Sequence, residues 1–168
     1  MKKEERYSSI VADILNIACK DDYFVYKSFL NMLDKAINNN STIFSNLPVK
    51  APVIKTESRE DKVDISIKDN GYRIFIENKI NGAQDLKGQL ARYIEGSVNG
   101  AHYFEKDVYI VYITNSKRSP KSYSWIRLDD KFIATDYEDD FKQRFVNITG
   151  SDICRWLEED VRPLLCDR

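Results

Sequence analysis

Hydrophobic positions recur with two different periods along this chain, and the change of period separates helices from strands. Near the N-terminus, apolar residues return every three or four positions, which predicts amphipathic helices over residues 4–19 and 22–39. Ser151 is in a position to cap a last helix. A further helix is predicted from an apolar stripe formed by Leu86, Leu90, Tyr93, Ile94 and Val98.

Extended segments are predicted between these helices. Residues 53–56 are predicted as a strand, and residues 63–67 alternate apolar and polar side chains as a half-buried strand does. Residues 108–114 form a continuous apolar run, which predicts a central strand buried on both faces, and 144–148 predict a shorter one. Because helices precede, interrupt and follow the strands, we expect a mixed α/β fold, with the 168 residues forming one domain over 1–168.

An Asn-Gly pair predicts a tight β-hairpin in the middle of the chain. Asn70 and Gly71 separate the alternating segment from a second strand over residues 72–80. Asn-Gly favours a type I′ turn, in which both central residues have positive φ. With these two residues as the loop, Asp69 pairs with Tyr72, and this pair fixes the register of the whole hairpin.

The predicted register brings three chemically active side chains to one small surface. Asp64 lies directly opposite Glu77, at the ~4.5–5.5 Å between Cβ atoms that is typical of opposed residues. The period of two places Lys79 on the same face as Glu77. Facing carboxylates need a shared proton or a cation between them, and Mg²⁺ prefers oxygen ligands. The trio therefore fits magnesium-dependent phosphodiester hydrolysis; the alternative is a solvated strand pair with Lys79 as an ordinary salt-bridge partner.

Composition and charge narrow the classes of function. The chain has 27 acidic and 26 basic residues and a formal charge of −1, which argues against wrapping DNA by bulk charge. The single histidine excludes a metal site made of several imidazoles. The three scattered cysteines fit a reducing compartment. Since no apolar run approaches the ~18 residues of a membrane span, we expect a cytoplasmic protein with no membrane partner.

The spacing of these residues resembles a known family. Asp64 followed by the triplet 77–79 resembles the signature of the PD-(D/E)XK nuclease superfamily, with valine in place of the proline before the aspartate. Gln89 and Tyr93 are similar to the Gln-x-x-x-Tyr motif of the branch related to recombination-repair nucleases. The two residues share one helix face, although Tyr93 also lies on the apolar stripe and has a core role as its alternative. The resemblance extends over nearly the whole chain.

The resemblance implies a restriction-endonuclease-like three-layer α/β fold, in which helices flank a central mixed β-sheet. It also implies Mg²⁺ or Mn²⁺ as cofactor, with Lys79 positioning the attacking water. Glu4 resembles the N-terminal acidic position of the family, and Glu5 is the alternative. The implied metal ligands are Asp64, Glu77 and Glu4. The implied catalytic residues are Asp64, Glu77, Lys79, Gln89 and Tyr93.

A basic loop with aromatic residues is a second candidate for function. Residues 115–127 contain cations and no acid, with Tyr123 and Trp125 interleaved. Such a loop can hold a nucleic-acid backbone and stack a base; a solvated loop with core-facing aromatics is the alternative. The candidate nucleic-acid-binding residues are Lys117, Arg118, Lys121 and Tyr123.

Three hypotheses follow from the sequence. The leading one is a nuclease that hydrolyses DNA through a magnesium-activated water, with homodimerisation left open. The second is a catalytically inactive module of the same fold that binds nucleic acid or a protein partner. The third is an unrelated α/β interaction protein, which applies if the hairpin register is wrong.

Overall fold

A mixed β-sheet with helices against both faces forms the centre of the computed structural model, which describes residues 3–17, 22–56, 63–100, 103–128 and 134–166. The helices are α1 Lys3–Ile17, α2 Phe24–Ile37, α3 Gln89–Glu95, α4 Gly150–Trp156 and α5 Arg162–Cys166. The strands are β1 Val53–Thr56, β2 Ile65–Asp69, β3 Tyr72–Lys79, β4 Val108–Thr114, β5 Ile126–Leu128, β6 Ala134–Asp136 and β7 Phe145–Thr149. No helix among the described residues is both long and apolar enough to cross a membrane.

The order of strands in the main sheet is β1-β2-β3-β4-β7. The pairs β1–β2 and β2–β3 are antiparallel, whereas the pairs β3–β4 and β4–β7 are parallel. β5 and β6 form a separate antiparallel pair. Because the parallel strands end at the same edge of the sheet, the residues at their carboxyl ends come together there. This architecture confirms the mixed α/β fold that the sequence pattern predicted and agrees with the restriction-endonuclease-like fold that the resemblance implies.

The hairpin register is as predicted. Asp69 pairs with Tyr72, and the pairing continues to Ile65 opposite Ile76 at the far end of β2. The interpretation as an unrelated α/β protein required a wrong register, so this observation removes its basis. β4 is also an interior strand of the sheet and is buried along nearly its whole length, in agreement with the prediction from the apolar run.

The turn of the hairpin differs from the prediction. Gly71 has a φ of 88°, but Asn70 is not among the described non-glycine residues with positive φ, so the turn is not of type I′. The carboxylate of Asp69 accepts hydrogen bonds from the backbone N–H of Asn70, Lys50 and Ala51 at 2.7–3.0 Å. This carboxylate stabilises the turn and ties it to the segment before β1.

Two other predictions about elements were wrong. β2 is not half-buried: Ser66, on its predicted polar face, is buried, because β2 lies between two strands and both faces of the sheet are covered. The helix that follows β7 is capped by Thr149 and not by Ser151. The Thr149 hydroxyl accepts a hydrogen bond from the N–H of Asp152, and the Asp152 carboxylate accepts one from the N–H of Thr149. This reciprocal pair is a capping box.

The third predicted helix begins later than its apolar stripe suggested. α3 starts at Gln89 after Gly88, whose φ is 65°, and Leu86 lies outside the helix with its side chain exposed. At its other end, α3 continues into a π-helical turn over Gly96–Gly100, which contains Val98. A second π-helical turn, Leu157–Val161, joins α4 to α5.

The two faces of the sheet carry separate apolar cores. Ile76 and the β3 residues two and four positions before it pack against α1, α2 and α4. Within this core, the ring centroids of Phe29 and Trp156 are 5.4 Å apart. Phe75, on the opposite face, packs against α3 and the residues near Trp125. Side chains of β3 at a spacing of two from Phe75, which include Glu77 and Lys79, therefore point toward α3.

A buried carboxylate fixes the segment after α2. Asp34 accepts hydrogen bonds from the Ser41 hydroxyl and from the N–H groups of Phe44 and Ser45 at 2.8–3.0 Å. Burial alone would raise the pKa of Asp34, but these hydrogen bonds favour the charged form, so the pKa lies below its ordinary value.

Replacement of Asp34 by asparagine is expected to lower the free energy of unfolding by about 1–3 kcal/mol near neutral pH, because an amide replaces a charged acceptor. A lowered pKa stabilises the fold above the unfolded-state value of about 3.9, and this contribution is lost as the pH falls through the folded-state value. The difference between wild type and variant should therefore shrink below about pH 4. Urea denaturation at neutral and acidic pH measures it, with the exposed Asp13→Asn on α1 as control. An Asp34→Asn protein as stable as wild type at neutral pH would contradict this role.

Candidate active site

The end of β3 carries two buried ionisable side chains. Glu77 is 4% exposed and Lys79 is 6% exposed, and Lys79 Nζ lies 2.8 Å from Glu77 Oε1. In the parallel register, Glu77 is next to Tyr112 and Lys79 is next to Thr114 on β4. Charged residues are almost never this buried unless they are paired, and here each of the two is the partner of the other.

Helix α3 holds the carboxylate of Glu77 in place through two of its side chains. Gln89 Nε2 donates to Glu77 Oε1 and the Tyr93 hydroxyl donates to Oε2, both at 2.8 Å. Gln89 Nε2 also lies 2.9 Å from the Tyr93 oxygen. Because residues four apart share a helix face, both groups reach the same carboxylate. The spacing that suggested a Gln-x-x-x-Tyr motif therefore corresponds to a real cluster, and Tyr93 has both the core role and the polar one.

The electrostatics of the cluster hold Tyr93 as a neutral donor. Burial is the largest cause that raises the pKa of Tyr93, and the negative charge of Glu77 raises it further. The charge of Asp64 acts in the same direction on this pKa, so Asp64 lies close enough to act on the same group. Tyr93 therefore keeps its proton and donates it to the hydrogen bond with Glu77.

Asp64 lies where the hairpin register placed it. It directly precedes Ile65, which pairs with Ile76, so the next position across the hairpin is Glu77. Its Oδ2 accepts a hydrogen bond of 2.7 Å from the N–H of Asn78, and its side chain is partly exposed. The site thus combines a partly exposed carboxylate with a buried one.

The middle residue of the triplet has a role that the sequence did not predict. Asn78 points to the opposite face, where its Nδ2 donates to Ser8 Oγ at 3.1 Å and its Oδ1 accepts from the N–H of Ile80 at 3.1 Å. Asn78 therefore connects the end of β3 to α1. Asn78 follows the buried residues Ile74 and Ile76 on the same side of β3. A polar residue at such a position was the signal in the sequence that could have indicated this role.

The donor set suits a hard divalent cation in part. Asp64 and Glu77 offer carboxylate oxygens, the ligands that Mg²⁺ prefers. Glu77 accepts three described hydrogen bonds, which leaves capacity on a carboxylate with about four acceptor positions. The described side chains contain no group of three or more His, Cys, Asp or Glu residues that could hold a metal. The predicted third acid, Glu4, and its alternative Glu5 have side chains outside the described part of the structure.

A second buried carboxylate lies beside this site and was missed by sequence reasoning. Asp85 accepts hydrogen bonds from the Tyr112 hydroxyl, from both terminal nitrogens of Arg118 at 2.9 and 3.2 Å, and from the N–H of Lys121 at 2.9 Å. Burial acts to raise the pKa of Asp85, but these donors outweigh it and hold the pKa below its usual range. We call these four residues the Asp85 cluster.

The four predicted nucleic-acid-binding residues have different surroundings in the structure. Arg118 is paired with Asp85. Lys117 is exposed and lines a cavity of about 270 Å³ between α2 and α4. Lys121 and Tyr123 are exposed beside Asp85. Trp125 faces the core, as the alternative reading of this loop proposed for its aromatics.

The fold and the site together define a class. The structure has a mixed sheet flanked by helices. Asp64 lies opposite Glu77, the first residue of a Glu-x-Lys triplet at the carboxyl end of β3. This is the arrangement of a restriction-endonuclease-like nuclease domain. The model of the PD-(D/E)XK nuclease superfamily matches residues 1–163, and the chain belongs to this superfamily. Its members are generally nucleases that use divalent metals, which implies a nucleic-acid substrate. No curated protein and no solved structure matches the chain significantly.

Proposed function

We propose that this protein is a metal-dependent nuclease that hydrolyses phosphodiester bonds of DNA with a water molecule as nucleophile. The observation that carries the proposal is the buried Glu77 carboxylate, which Lys79, Gln89 and Tyr93 hold in one orientation beside Asp64. A cluster that serves only stability would gain little from this arrangement, because the desolvation of buried charges offsets much of their attraction. The scattered cysteines favour the cytoplasm as its location.

Asp64 and Glu77 are the proposed ligands of Mg²⁺ or Mn²⁺, and Glu4 is the proposed third acid. When bound, such an ion supplies positive charge against the phosphate and lowers the pKa of a water molecule. Glu4 belongs to α1 one helical turn before Ser8, the residue that Asn78 contacts. This connection between α1 and the end of β3 supports Glu4 as a member of the site.

Lys79 is the proposed catalytic cation. Its ammonium group lies at 2.8 Å from Glu77 Oε1, where it is positioned to orient the attacking water and to stabilise negative charge that develops on the phosphate. Gln89 and Tyr93 are positioning residues, since they act through the Glu77 carboxylate. Their hydrogen bonds limit the orientations that Glu77 can adopt.

The proposed function is tested by incubating circular and linear DNA, both single-stranded and duplex, with Mg²⁺, with Mn²⁺ and with EDTA. We expect cleavage with either metal, none with EDTA, and none by Asp64→Asn. Asp139→Asn, at an exposed carboxylate, is the matched control and should cleave as wild type does. Equal cleavage by wild type and Asp64→Asn would refute the site. Absence of cleavage by wild type under all conditions would favour the inactive binding module.

Replacement of Tyr93 by phenylalanine should lower the cleavage rate about tenfold, since hydrogen-bonding partners of a metal ligand are typically worth about 10- to 100-fold. The variant removes the 2.8 Å hydrogen bond to Glu77 Oε2 and keeps the ring in the core. Tyr137→Phe is the control, because its ring packs on the same core and its hydroxyl lies near Glu95. Steady-state rates at saturating Mg²⁺ measure the effect; an unchanged rate for Tyr93→Phe would exclude the positioning role.

A further inference from the structure

An exposed aromatic ring lies beside the proposed active site. Tyr123 is 45% exposed and the nearby Leu86 is 55% exposed. The Tyr123 hydroxyl donates to the backbone oxygen of Asp85 at 3.3 Å, and the N–H of Gly88 donates to the backbone oxygen of Tyr123 at 2.9 Å. These contacts hold Tyr123 against the segment that carries Leu86. We call Tyr123 and Leu86 the platform.

The Asp85 cluster makes the position of the platform rigid. Asp85 connects Tyr112 on β4 with Arg118 and Lys121 in the loop that leads to Tyr123. An ordered loop loses less conformational entropy when a ligand binds, so its contacts contribute more to affinity. Arg118 uses both terminal nitrogens on Asp85 and therefore positions the loop.

The charge around the platform favours an anionic ligand. Lys87 directly follows Leu86 and Lys121 precedes Tyr123 by two residues, and both are exposed, as is Arg92 one helical turn after Gly88. The Arg92 guanidinium donates to the backbone oxygen of Lys87 at 2.9 Å, which places the charge of Arg92 beside the segment that carries Leu86. The carboxylate of Asp85 is compensated by Arg118.

The platform is also continuous with the proposed catalytic groups. Gln89 directly follows Gly88, and its side chain contacts Glu77. The residue that binds the Tyr123 backbone, Gly88, is therefore adjacent in sequence to a residue of the proposed active site. In duplex DNA the bases are stacked on each other inside the helix, whereas an unpaired base can stack on a tyrosine ring.

We infer that the platform binds an unpaired nucleotide, by stacking its base on Tyr123 while Lys87 and Lys121 contact the flanking phosphates. The inference deepens the proposed nuclease function by naming single-stranded DNA, or a single-stranded segment within a duplex, as the substrate.

The test is the affinity of the full chain for a labelled oligothymidylate and for a duplex of the same length, measured by fluorescence anisotropy in EDTA. Wild type should bind the single strand more tightly than the duplex. Tyr123→Ala should weaken binding of the single strand by roughly 5- to 150-fold, as expected for the loss of one stacked base, and change duplex binding less than twofold. Tyr123→Phe should retain the affinity, because stacking needs the ring. Phe104→Ala is the matched control, since Phe104 is 72% exposed and lies 5.5 Å from Lys106, away from the platform.

The inference is overturned if wild type binds single strand and duplex equally, if Tyr123→Ala weakens both to the same extent, or if Phe104→Ala has the same effect. Failure to bind any DNA would overturn it as well. Because the assay contains no divalent metal, its outcome does not depend on cleavage. A protein that cleaves plasmid with Mg²⁺ but shows no preference for single strands would refute this inference and leave the proposed function intact.

Discussion

Replacement of Lys79 by alanine is expected to lower the rate of DNA cleavage by about 10²- to 10³-fold, the usual loss when a preorganised group that stabilises developing charge is removed. The structure gives the reason. Lys79 is 6% exposed and its ammonium group is fixed at 2.8 Å from Glu77, so it needs no reorganisation before it acts. Such a cation in a site with little water contributes far more than the same charge at the surface.

The Lys79→Ala protein should fold with a lower melting temperature, because Glu77 keeps its hydrogen bonds from Gln89 and Tyr93 but loses its buried cation. Its thermal melting therefore serves as the check that loss of rate is not loss of structure. Lys68→Ala is a matched control, since Lys68 belongs to the neighbouring strand and pairs with Arg73, far along the hairpin from the site. A Lys79→Ala variant with the rate of wild type would exclude Lys79 as a catalytic residue.

Replacement of Glu77 by glutamine is expected to abolish cleavage and to weaken Mn²⁺ binding by at least about 100-fold. Loss of a group that only hydrogen-bonds to a metal ligand already lowers metal affinity by up to about 100-fold, and Glu77 is a proposed ligand itself. The variant keeps the size of the side chain and removes the charge. The new amide NH₂ group would face a donor on Lys79, Gln89 or Tyr93 where the carboxylate accepted a hydrogen bond. We therefore also expect the free energy of unfolding to fall by about 1–3 kcal/mol.

Cleavage and Mn²⁺ binding by Glu77→Gln are measured at a temperature well below its melting transition, so that the stability change does not enter. Glu158→Gln, at an exposed position of the π-helical turn after α4, is the control and should match wild type in both measurements. If Glu77→Gln retained metal-dependent cleavage, Glu77 would be a structural residue and the proposed site would be wrong.

The hairpin and the core of the site could be predicted because their determinants are local. Two residues, Asn70 and Gly71, fix the hairpin, and its register then places Asp64 opposite Glu77 by counting. The four-residue spacing of Gln89 and Tyr93 is likewise a property of one helix.

The elements that sequence reasoning missed depend on contacts between distant segments. Asp85 is surrounded by donors from residues 112, 118 and 121, and nothing in its own neighbourhood in sequence indicates burial. The short strands β5 and β6 have only three residues each, too few for a period to appear. Leu86 continued the apolar stripe of α3 in sequence, but the turn at Gly88 places it outside the helix.

The central claim is that the carboxylates of Asp64 and Glu77 together hold a divalent ion. Calorimetric titration of Mn²⁺ into wild type, Asp64→Asn and Lys79→Ala tests it most directly. We predict saturable binding to wild type, loss of that binding in Asp64→Asn, and binding by Lys79→Ala that is at least as tight as in wild type, because a neighbouring positive charge has been removed. Binding of Mn²⁺ to Asp64→Asn with the affinity of wild type would contradict the claim.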